Sequence, residues 1–172
     1  MRKYLLINFL FLCTNCFTET ISKELQLASF SIKNSSPCYL LITTKNDIHT
    51  LLGEPESTEY FQNSGEDFYW TNITIDHYED NKILFVYNAD NSLIRISAYI
   101  SSVDCIKTVF GNVKETTEKI IKEYSSFIDV PYRKNNFLCF TAKEGILFYC
   151  FWFNEDSSIK YIDFYFDRPC GK

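Results

Sequence analysis

The sequence predicts an α+β protein of two tandem units, each a helix followed by an antiparallel meander, with the helices packed on one face of the sheet. One observation is a short, capped helix signal that precedes a pair of alternating strands in residues 38–103. A second is the same order of cap, strands and turn in residues 104–172. The third is a match between the two ranges when the chain is compared with itself.

The internal match occurs at an offset of 66 residues, the distance from Phe85 to Phe151. The same offset carries the candidate helix cap Asn46 onto Asn112. Other identical pairs are Asn88 with Asn154, Asp90 with Asp156, Ser92 with Ser158, and Ile96 with Ile162. Cap, turn and strand parity agree at one offset, which is how an internal repeat shows itself.

The first helix is predicted from its start and stop signals. Thr44 with Asp47 three residues later is a capping-box pattern, and Asn46 is a competing cap. Gly53 and Pro55 end the helix after about two turns. One apolar face is formed by Ile48, Leu51 and Leu52. A helix this short needs a sheet to pack on.

The strands of the first unit follow a polar loop at Glu56–Asp67. Phe68-Tyr69-Trp70 is predicted to begin the first strand, and a hairpin joins Lys82–Tyr87 to Leu93–Ile100. In the last strand the period of two puts Ile94, Ile96, Ala98 and Ile100 on one face and Leu93, Arg95, Ser97 and Tyr99 on the other. One face is expected to meet the helix.

The second unit is predicted to open with a helix from Asn112 to about Ser126. Its strands are Phe137–Thr141, Ile146–Phe153 and Ile159–Phe166. The middle strand is apolar and aromatic at both parities, so it is either buried on both sides or presents one face to a partner.

Residues 1–16 are typical of a secretory signal peptide, with a basic start and the apolar run Tyr4–Leu12, and residues 17–37 are a polar tether. The run ends in Leu12-Cys13-Thr14-Asn15-Cys16, which resembles the relaxed lipobox of spirochaete-type bacterial lipoproteins with Cys16 as the lipidated residue. Two outcomes stay open: a lipid on Cys16, or ordinary cleavage nearby. The chain is therefore expected to be exported, as a periplasmic or outer-membrane lipoprotein or as a secreted protein.

Cys13 and Cys16 lie against the signal and are not expected to form a redox or metal site, despite their C-x-x-C spacing. The remaining cysteines are odd in number: Cys38, Cys105, Cys139, Cys150 and Cys170. At least one is therefore expected to be free or intermolecular, and no pairing follows from the sequence.

Part of the first unit resembles a known family. Asp47–Pro55, the pair Tyr69-Trp70 and the meander Phe85–Ile100 resemble the SmpA/OmlA family of small outer-membrane lipoproteins, and two such units in tandem resemble the beta-lactamase inhibitor protein fold. The resemblance implies a protein that binds other proteins through its sheet face and loops, without catalysis or a cofactor.

Charge and motif content exclude several function classes. The net charge of −5 and dispersed basic residues argue against nucleic-acid binding. The sequence contains no nucleophile elbow and no phosphate-cradling loop. His49 is predicted to be a surface residue, and the carboxylates around His77, from Asp76 to Asp80, to be a solvated turn rather than a metal site.

Three hypotheses remain. The favoured one is a non-catalytic, exported protein-binding module, tethered to an envelope membrane and anchored on its partner by large aromatic side chains. The candidate anchors are Phe68, Tyr69, Trp70 and Trp152. The alternative is a secreted enzyme inhibitor that inserts an acidic loop, Glu54–Glu59 or Asp76–Asp80, into its target. The third is a metal-dependent enzyme around His77.

Overall fold

The computed structural model describes residues 29–62, 72–100, 105–108, 122, 132–134, 136–141, 147–156 and 158–166. These residues contain one named helix, α1 (Lys45–Leu52), and ten strands. The strands are β1 (Phe30–Ile32), β2 (Ser57–Phe61), β3 (Ile73–Tyr78), β4 (Ile83–Tyr87), β5 (Leu93–Ala98), β6 (Ile106–Thr108), β7 (Tyr132–Lys134), β8 (Phe137–Thr141), β9 (Leu147–Phe153) and β10 (Ile159–Phe166).

Eight of these strands form one sheet, in the order β2-β3-β4-β5-β10-β9-β8-β7. Each strand pairs antiparallel with its neighbours. Strands β1 and β6 form a separate two-stranded antiparallel sheet. The described part of the chain is therefore mainly β.

The predicted fold class of two helix-plus-meander units is wrong. Strand β5 pairs with β10, so the sheet runs without interruption from β2 to β7 and does not divide into two units. Each four-stranded meander alone would leave an inner edge with unsatisfied backbone groups, and pairing the two inner edges satisfies both. The second predicted helix, 112–126, lies outside the described residues apart from position 122.

Sequence reasoning also missed four strands, one of which is β7, since the first strand predicted in the second unit begins at Phe137. β2 lies in a range predicted to be a polar loop, β6 lies at the start of the second unit, before its predicted helix, and β1 lies in the range 17–37 assigned to a tether. Phe30 and Ile32 of β1 are fully buried, as is Leu40. The core therefore includes side chains that precede the predicted start of the first unit at Cys38.

The seam between β5 and β10 has a symmetric register. Ser97 lies opposite Asp163, and Ile96 lies opposite Phe164. The separation of Ser97 and Asp163 is 66 residues, the offset of the internal sequence match. The local centre of the eight-stranded sheet is thus the Ser97–Asp163 pair.

One hydrophobic core lies on the face of the sheet that α1, β1 and β6 cover. Ile48 of α1, Ile32 of β1 and Ile106 of β6 join side chains from the sheet in this cluster. The sheet contributes Tyr78, Ile83, Phe85, Tyr87, Leu93, Ile96, Ala98, Leu138, Leu147, Tyr149, Phe151, Phe153, Ile159, Ile162 and Phe164. Burial of these aliphatic and aromatic groups is the main term that favours the fold.

The start of α1 confirms the predicted capping box. The backbone N–H of Asp47 donates to the Thr44 hydroxyl at 3.3 Å, and the backbone N–H of Thr44 donates to the Asp47 carboxylate at 2.8 Å. Ile48 is buried as predicted, and the helix ends at Leu52, before Gly53, whose φ is +88°. A positive φ carries no steric cost for glycine, which explains the stop.

The predicted faces of β5 are wrong at its start. A bulge separates the pairs Val86 with Arg95 and Tyr87 with Leu93, so Ile94 is an extra residue. Leu93 therefore belongs to the core cluster and Ile94 does not, whereas the predicted parity holds for Ile96 and Ala98.

Candidate protein-binding face

The second face of the sheet, opposite the core, carries aromatic side chains in mutual contact across four adjoining chain segments. Trp152 alternates with the core residues Phe151 and Phe153, so it points to this second face. Its ring centroid lies 4.7 Å from that of Phe137 and 5.0 Å from that of Tyr161. Tyr161 lies 4.7 Å from Tyr99. We call this set, Phe137, Trp152, Tyr161 and Tyr99, the aromatic row.

Strand register explains why these rings meet. Phe137 is paired with Trp152 across β8 and β9, and Trp152 is paired with Tyr161 across β9 and β10. Directly opposed side chains on one face have Cβ atoms about 4.5–5.5 Å apart, which brings large rings into contact. A bulge at Lys160 precedes Tyr161 and sets its ring on the same face as Trp152.

The row is partly accessible. Tyr99 is 44% exposed, whereas Phe137, Trp152 and Tyr161 are half-buried. Burial raises the pKa of the Tyr161 hydroxyl above its ordinary value. When one face of an antiparallel sheet meets water, the side chains on that face are normally polar. An aromatic row at this position is therefore unusual for a face without a partner.

Beside the row, a charged network fixes the middle of the same face. Arg95 donates from Nε and from a terminal guanidinium nitrogen to the two carboxylate oxygens of Asp163, each at 2.8 Å. The Ser97 hydroxyl donates to Asp163 at 2.8 Å. The Arg95 guanidinium also lies 5.6 Å from the ring centre of Tyr165, which stacks on Phe148. The two-point ion pair orients the planar guanidinium against both groups.

At one end of the sheet, β2 forms an edge with acidic side chains near its start. Tyr60 is 76% exposed and Phe61 is 50% exposed. Asp80 donates its backbone N–H to the Glu56 carboxylate at 3.0 Å, which brings the predicted acidic loops together. Glu59 lies 3.3 Å from Nε2 of His77, close enough for a charge interaction but not aligned as a hydrogen bond.

A buried carboxylate joins α1 to the sheet. Asp76 is fully buried and accepts a hydrogen bond from the Thr58 hydroxyl at 2.7 Å. Its other oxygen lies 2.8 Å from Nε2 of His49, and Lys45 approaches at 3.4 Å. Glu54 lies 3.5 Å from Nδ1 of His49. Asp76 was predicted to lie in a solvated turn, and that prediction is wrong because the carboxylate is fully buried among hydrogen-bond partners. His49 was predicted to be a surface residue and is half-buried, with 20% of its side chain exposed.

The predicted anchors have different outcomes. Trp152 lies in the centre of the aromatic row. Phe68, Tyr69, Trp70 and the lipidation candidate Cys16 lie outside the described residues, so their roles stay predictions. No pattern singled out the other members of the row, although the two-sided apolar character of β9 indicated such a face.

Two of the cysteines pair across neighbouring strands. Cys139 of β8 and Cys150 of β9 form a disulfide, and they are directly opposed in register. Cys38 is a free thiol. Burial raises the pKa of the Cys38 thiol to about 11, which keeps it protonated and unreactive near neutral pH. Cys170 lies outside the described residues.

Within the described ranges, no group of three or more His, Cys, Asp or Glu side chains is arranged to hold a metal ion. In the same part of the chain, no helix combines the length and apolar character needed to cross a membrane.

Comparisons with known proteins give a structural similarity of low score and no match in sequence. No protein-family model matches the sequence, and no curated protein matches it. The chain is similar to the crystal structure of a DUF4309 family protein (YjgB) from Bacillus subtilis subsp. subtilis str. 168, with a TM-score of 0.34 and 15% identity over 74% of this chain and 81% of that chain. At this level of similarity, function has to be argued from the chain's own residues.

Proposed function

We propose that this chain is a non-catalytic protein-binding module of a bacterial envelope, and that the aromatic row is its binding surface. The observation that carries the proposal is the contact chain of Phe137, Trp152, Tyr161 and Tyr99 on the sheet face opposite the core. Large aromatic side chains, tryptophan and tyrosine above all, contribute most of the binding energy in protein interfaces.

The surroundings of the row suit an interface. Rings that contact one another have little freedom to lose on binding, so a partner meets a pre-organised surface. Arg95 is held by Asp163 and lies beside the row, where it can contact polar groups at the rim. An apolar centre with a polar rim is the usual anatomy of such surfaces.

We further propose that the module is exported and held at a membrane by a lipid on Cys16. The support is the N-terminal pattern of a basic start, an apolar run and Cys16 at the position of the lipidated residue in the lipobox it resembles. The test is the intact mass of the mature protein from its native membrane fraction. A chain that starts at Cys16 with added acyl mass supports anchoring, and an unmodified soluble chain contradicts it.

The binding proposal is tested by affinity capture from an envelope extract of the source organism. The bait is the full mature chain in three forms: wild type, Trp152→Ala and Tyr161→Ala. We expect wild type to retain one protein in stoichiometric amount, and each variant to retain less than about a tenth of it, since an aromatic hot spot costs about 2 kcal/mol or more when truncated.

The matched control is Tyr39→Ala, which removes a half-buried aromatic ring outside the row. We expect this variant to retain the protein as wild type does. All four baits should unfold in a single urea transition, which shows that lost binding is not lost folding. Equal retention by Trp152→Ala and wild type would contradict the proposal.

A second candidate is a secreted enzyme inhibitor, and one contact favours it. The segments that contain Glu56 and Asp80 are joined by a hydrogen bond of 3.0 Å, so the two predicted acidic loops form one exposed corner. Asp76 does not belong to this corner because it is buried. An inhibitor of this kind should block one purified enzyme, and Glu54→Gln with Glu56→Gln should abolish the inhibition.

A further inference from the structure

Among the described residues, the edge strand β2 carries little of the usual protection against pairing with another chain. It is the first strand of the eight-stranded sheet and pairs only with β3 among the described strands. Edge strands are normally protected by charged side chains, lysine above all, by proline, by a bulge or by very short length. The one charged side chain of β2 is that of Glu59. The five residues Ser57–Phe61 contain no lysine and no proline, and their register with β3 is regular.

The side chains of β2 favour an added strand. Threonine, tyrosine and phenylalanine are among the residues that suit extended backbone in sheets. Tyr60 and Phe61 are the two most exposed aromatic side chains at this edge. A cleft of about 260 Å³ lies beside them, lined by Tyr60, Phe61, Gln62, Asn72, Ile73 and Thr74. The cleft is large enough for one apolar side chain of an added strand.

Charge identifies the kind of strand that fits. The exposed side chains around the first half of β2 are carboxylates, namely Glu54, Glu56, Glu59, Glu79 and Asp80. The cation of Lys45 lies 3.4 Å from the buried Asp76 carboxylate and is engaged there. An added strand with lysine or arginine at alternate positions would place its charges opposite Glu59 and near Glu56.

The same charges disfavour a second copy of this chain. Two β2 strands that pair antiparallel about their common centre would place Glu59 of one copy directly opposite Glu59 of the other. Like charges in directly opposed positions destabilise an antiparallel pair. The edge therefore favours a different, basic occupant over self-association.

From these observations we propose that β2 binds an extended, basic segment of another protein by strand addition. The partner's backbone pairs with the outer edge of β2, its basic side chains lie opposite Glu59, and one apolar side chain, opposite Tyr60, enters the cleft. Main-chain hydrogen bonds provide affinity in this mode, and alternate side chains provide specificity. This site is separate from the aromatic row, so each proposal can fail without the other.

The test uses fluorescently labelled seven-residue peptides with the full mature chain, and anisotropy as the readout. One peptide alternates lysine and valine, and a second has glutamate in place of lysine. Two further peptides carry the lysine sequence with N-methyl groups on one or the other alternate set of backbone amides. Only one edge of an added strand faces β2, so we expect one methylated peptide to lose binding and the other to keep it.

Protein variants test the position of the site. The variant Glu59→Lys reverses the charge that lies opposite the added strand. We expect it to lower the affinity for the lysine peptide about fivefold to tenfold. Glu155→Lys, which changes an exposed glutamate in the β9–β10 turn, should alter binding less than twofold, because the remaining effect is long-range and screened. Trp152→Ala should bind the peptide as wild type does.

Any of the following results would overturn the proposal. The first is equal binding of both N-methylated peptides, which would indicate charge attraction without strand pairing. The second is an equal effect of Glu59→Lys and Glu155→Lys, or no binding of the lysine peptide to folded wild type. The third is a dimer in sedimentation that Glu59→Lys abolishes, which would make a second copy the occupant.

Discussion

Ser97 and Asp163 lie directly opposite each other across the β5–β10 seam, and the serine hydroxyl donates to the carboxylate at 2.8 Å. Arg95 completes the arrangement with two hydrogen bonds to the same carboxylate. Asp163 is 8% exposed, so these donors take the place of water around its carboxylate. The one seam that joins β2–β5 to β7–β10 is therefore held by a charged network as well as by backbone pairing.

Asp163→Asn should weaken this seam. The substitution keeps the side-chain size but removes the charge that Arg95 neutralises, so we expect the free energy of unfolding to fall by about 1–3 kcal/mol. Urea unfolding at pH 7 measures the change. The control Glu155→Gln alters an exposed carboxylate and should stay within about 0.5 kcal/mol of wild type. An equal loss in both variants would assign the effect to net charge and not to the seam.

Asp76→Asn should loosen α1 from the sheet. Its carboxylate accepts hydrogen bonds from Thr58 and His49 on different oxygens and lies beside the cation of Lys45. An amide keeps one acceptor oxygen, but its NH2 group would face the other donor, and the charge opposite Lys45 is lost. We expect a loss of about 2–4 kcal/mol in urea unfolding. Hydrogen exchange should also accelerate in Lys45–Leu52 more than in β9. Uniform acceleration across the sheet would contradict a role specific to the helix.

Thr44→Ala removes the N-cap of α1. The Thr44 side chain accepts the Asp47 backbone N–H, so its loss should cost about 1 kcal/mol of unfolding free energy. Thr50→Ala, on the same helix, removes only an exposed hydroxyl that bonds the Asn46 carbonyl and should cost less than half as much. Thermal unfolding of the two variants side by side measures the difference. A greater loss in Thr50→Ala would rule out the capping account.

Two buried tyrosines differ in whether the hydroxyl group has a hydrogen-bond partner. Tyr78 donates its hydroxyl to the Gly53 carbonyl at 3.0 Å, whereas the Tyr87 hydroxyl has no hydrogen-bond partner among the described residues. Tyr78→Phe should therefore lower the free energy of unfolding by about 1 kcal/mol. Tyr87→Phe should leave it unchanged or raise it slightly, because it removes an unsatisfied buried group. A larger loss in Tyr87→Phe would contradict this assignment.

Tyr78 and Tyr87 also predict that the free energy of unfolding depends on pH. Burial raises the pKa of both hydroxyls in the folded chain above the ordinary value of about 10. The stability contributed by the protonated hydroxyls is fully present below pH of about 10 and is lost as the pH rises further, because the unfolded state releases its protons first. Urea midpoints between pH 8 and pH 11 should fall less steeply in Tyr87→Phe than in wild type.

Local signals in the sequence were sufficient to predict several elements. The capping box at Thr44, the glycine stop at Gly53 and the strands Phe137–Thr141 and Ile159–Phe166 depend on neighbours along the chain, and the structure confirms them. The predicted faces of β5 are correct where no bulge intervenes and wrong at Ile94, because an inserted residue reverses the faces. Such an insertion has no clear local sequence pattern.

Long-range pairing could not be predicted in the same way. The β5–β10 seam joins segments about 66 residues apart. The residues of either strand alone do not indicate which strand pairs with it. The burial of Asp76 depends on His49 and Lys45 from a different element, so an acidic stretch was interpreted as a solvated turn. The aromatic row likewise exists only after Tyr99 and Tyr161 meet in space.

The central claim, that the aromatic row binds a protein, is tested most directly by hydroxyl-radical footprinting of the mature chain with and without its captured partner. We predict that Trp152, Tyr161 and Tyr99 react in the free chain and become protected in the complex, whereas the control Tyr39 reacts equally in both. Unchanged reactivity of Trp152 on binding, or a Trp152 that is already unreactive in the free chain, would contradict the claim.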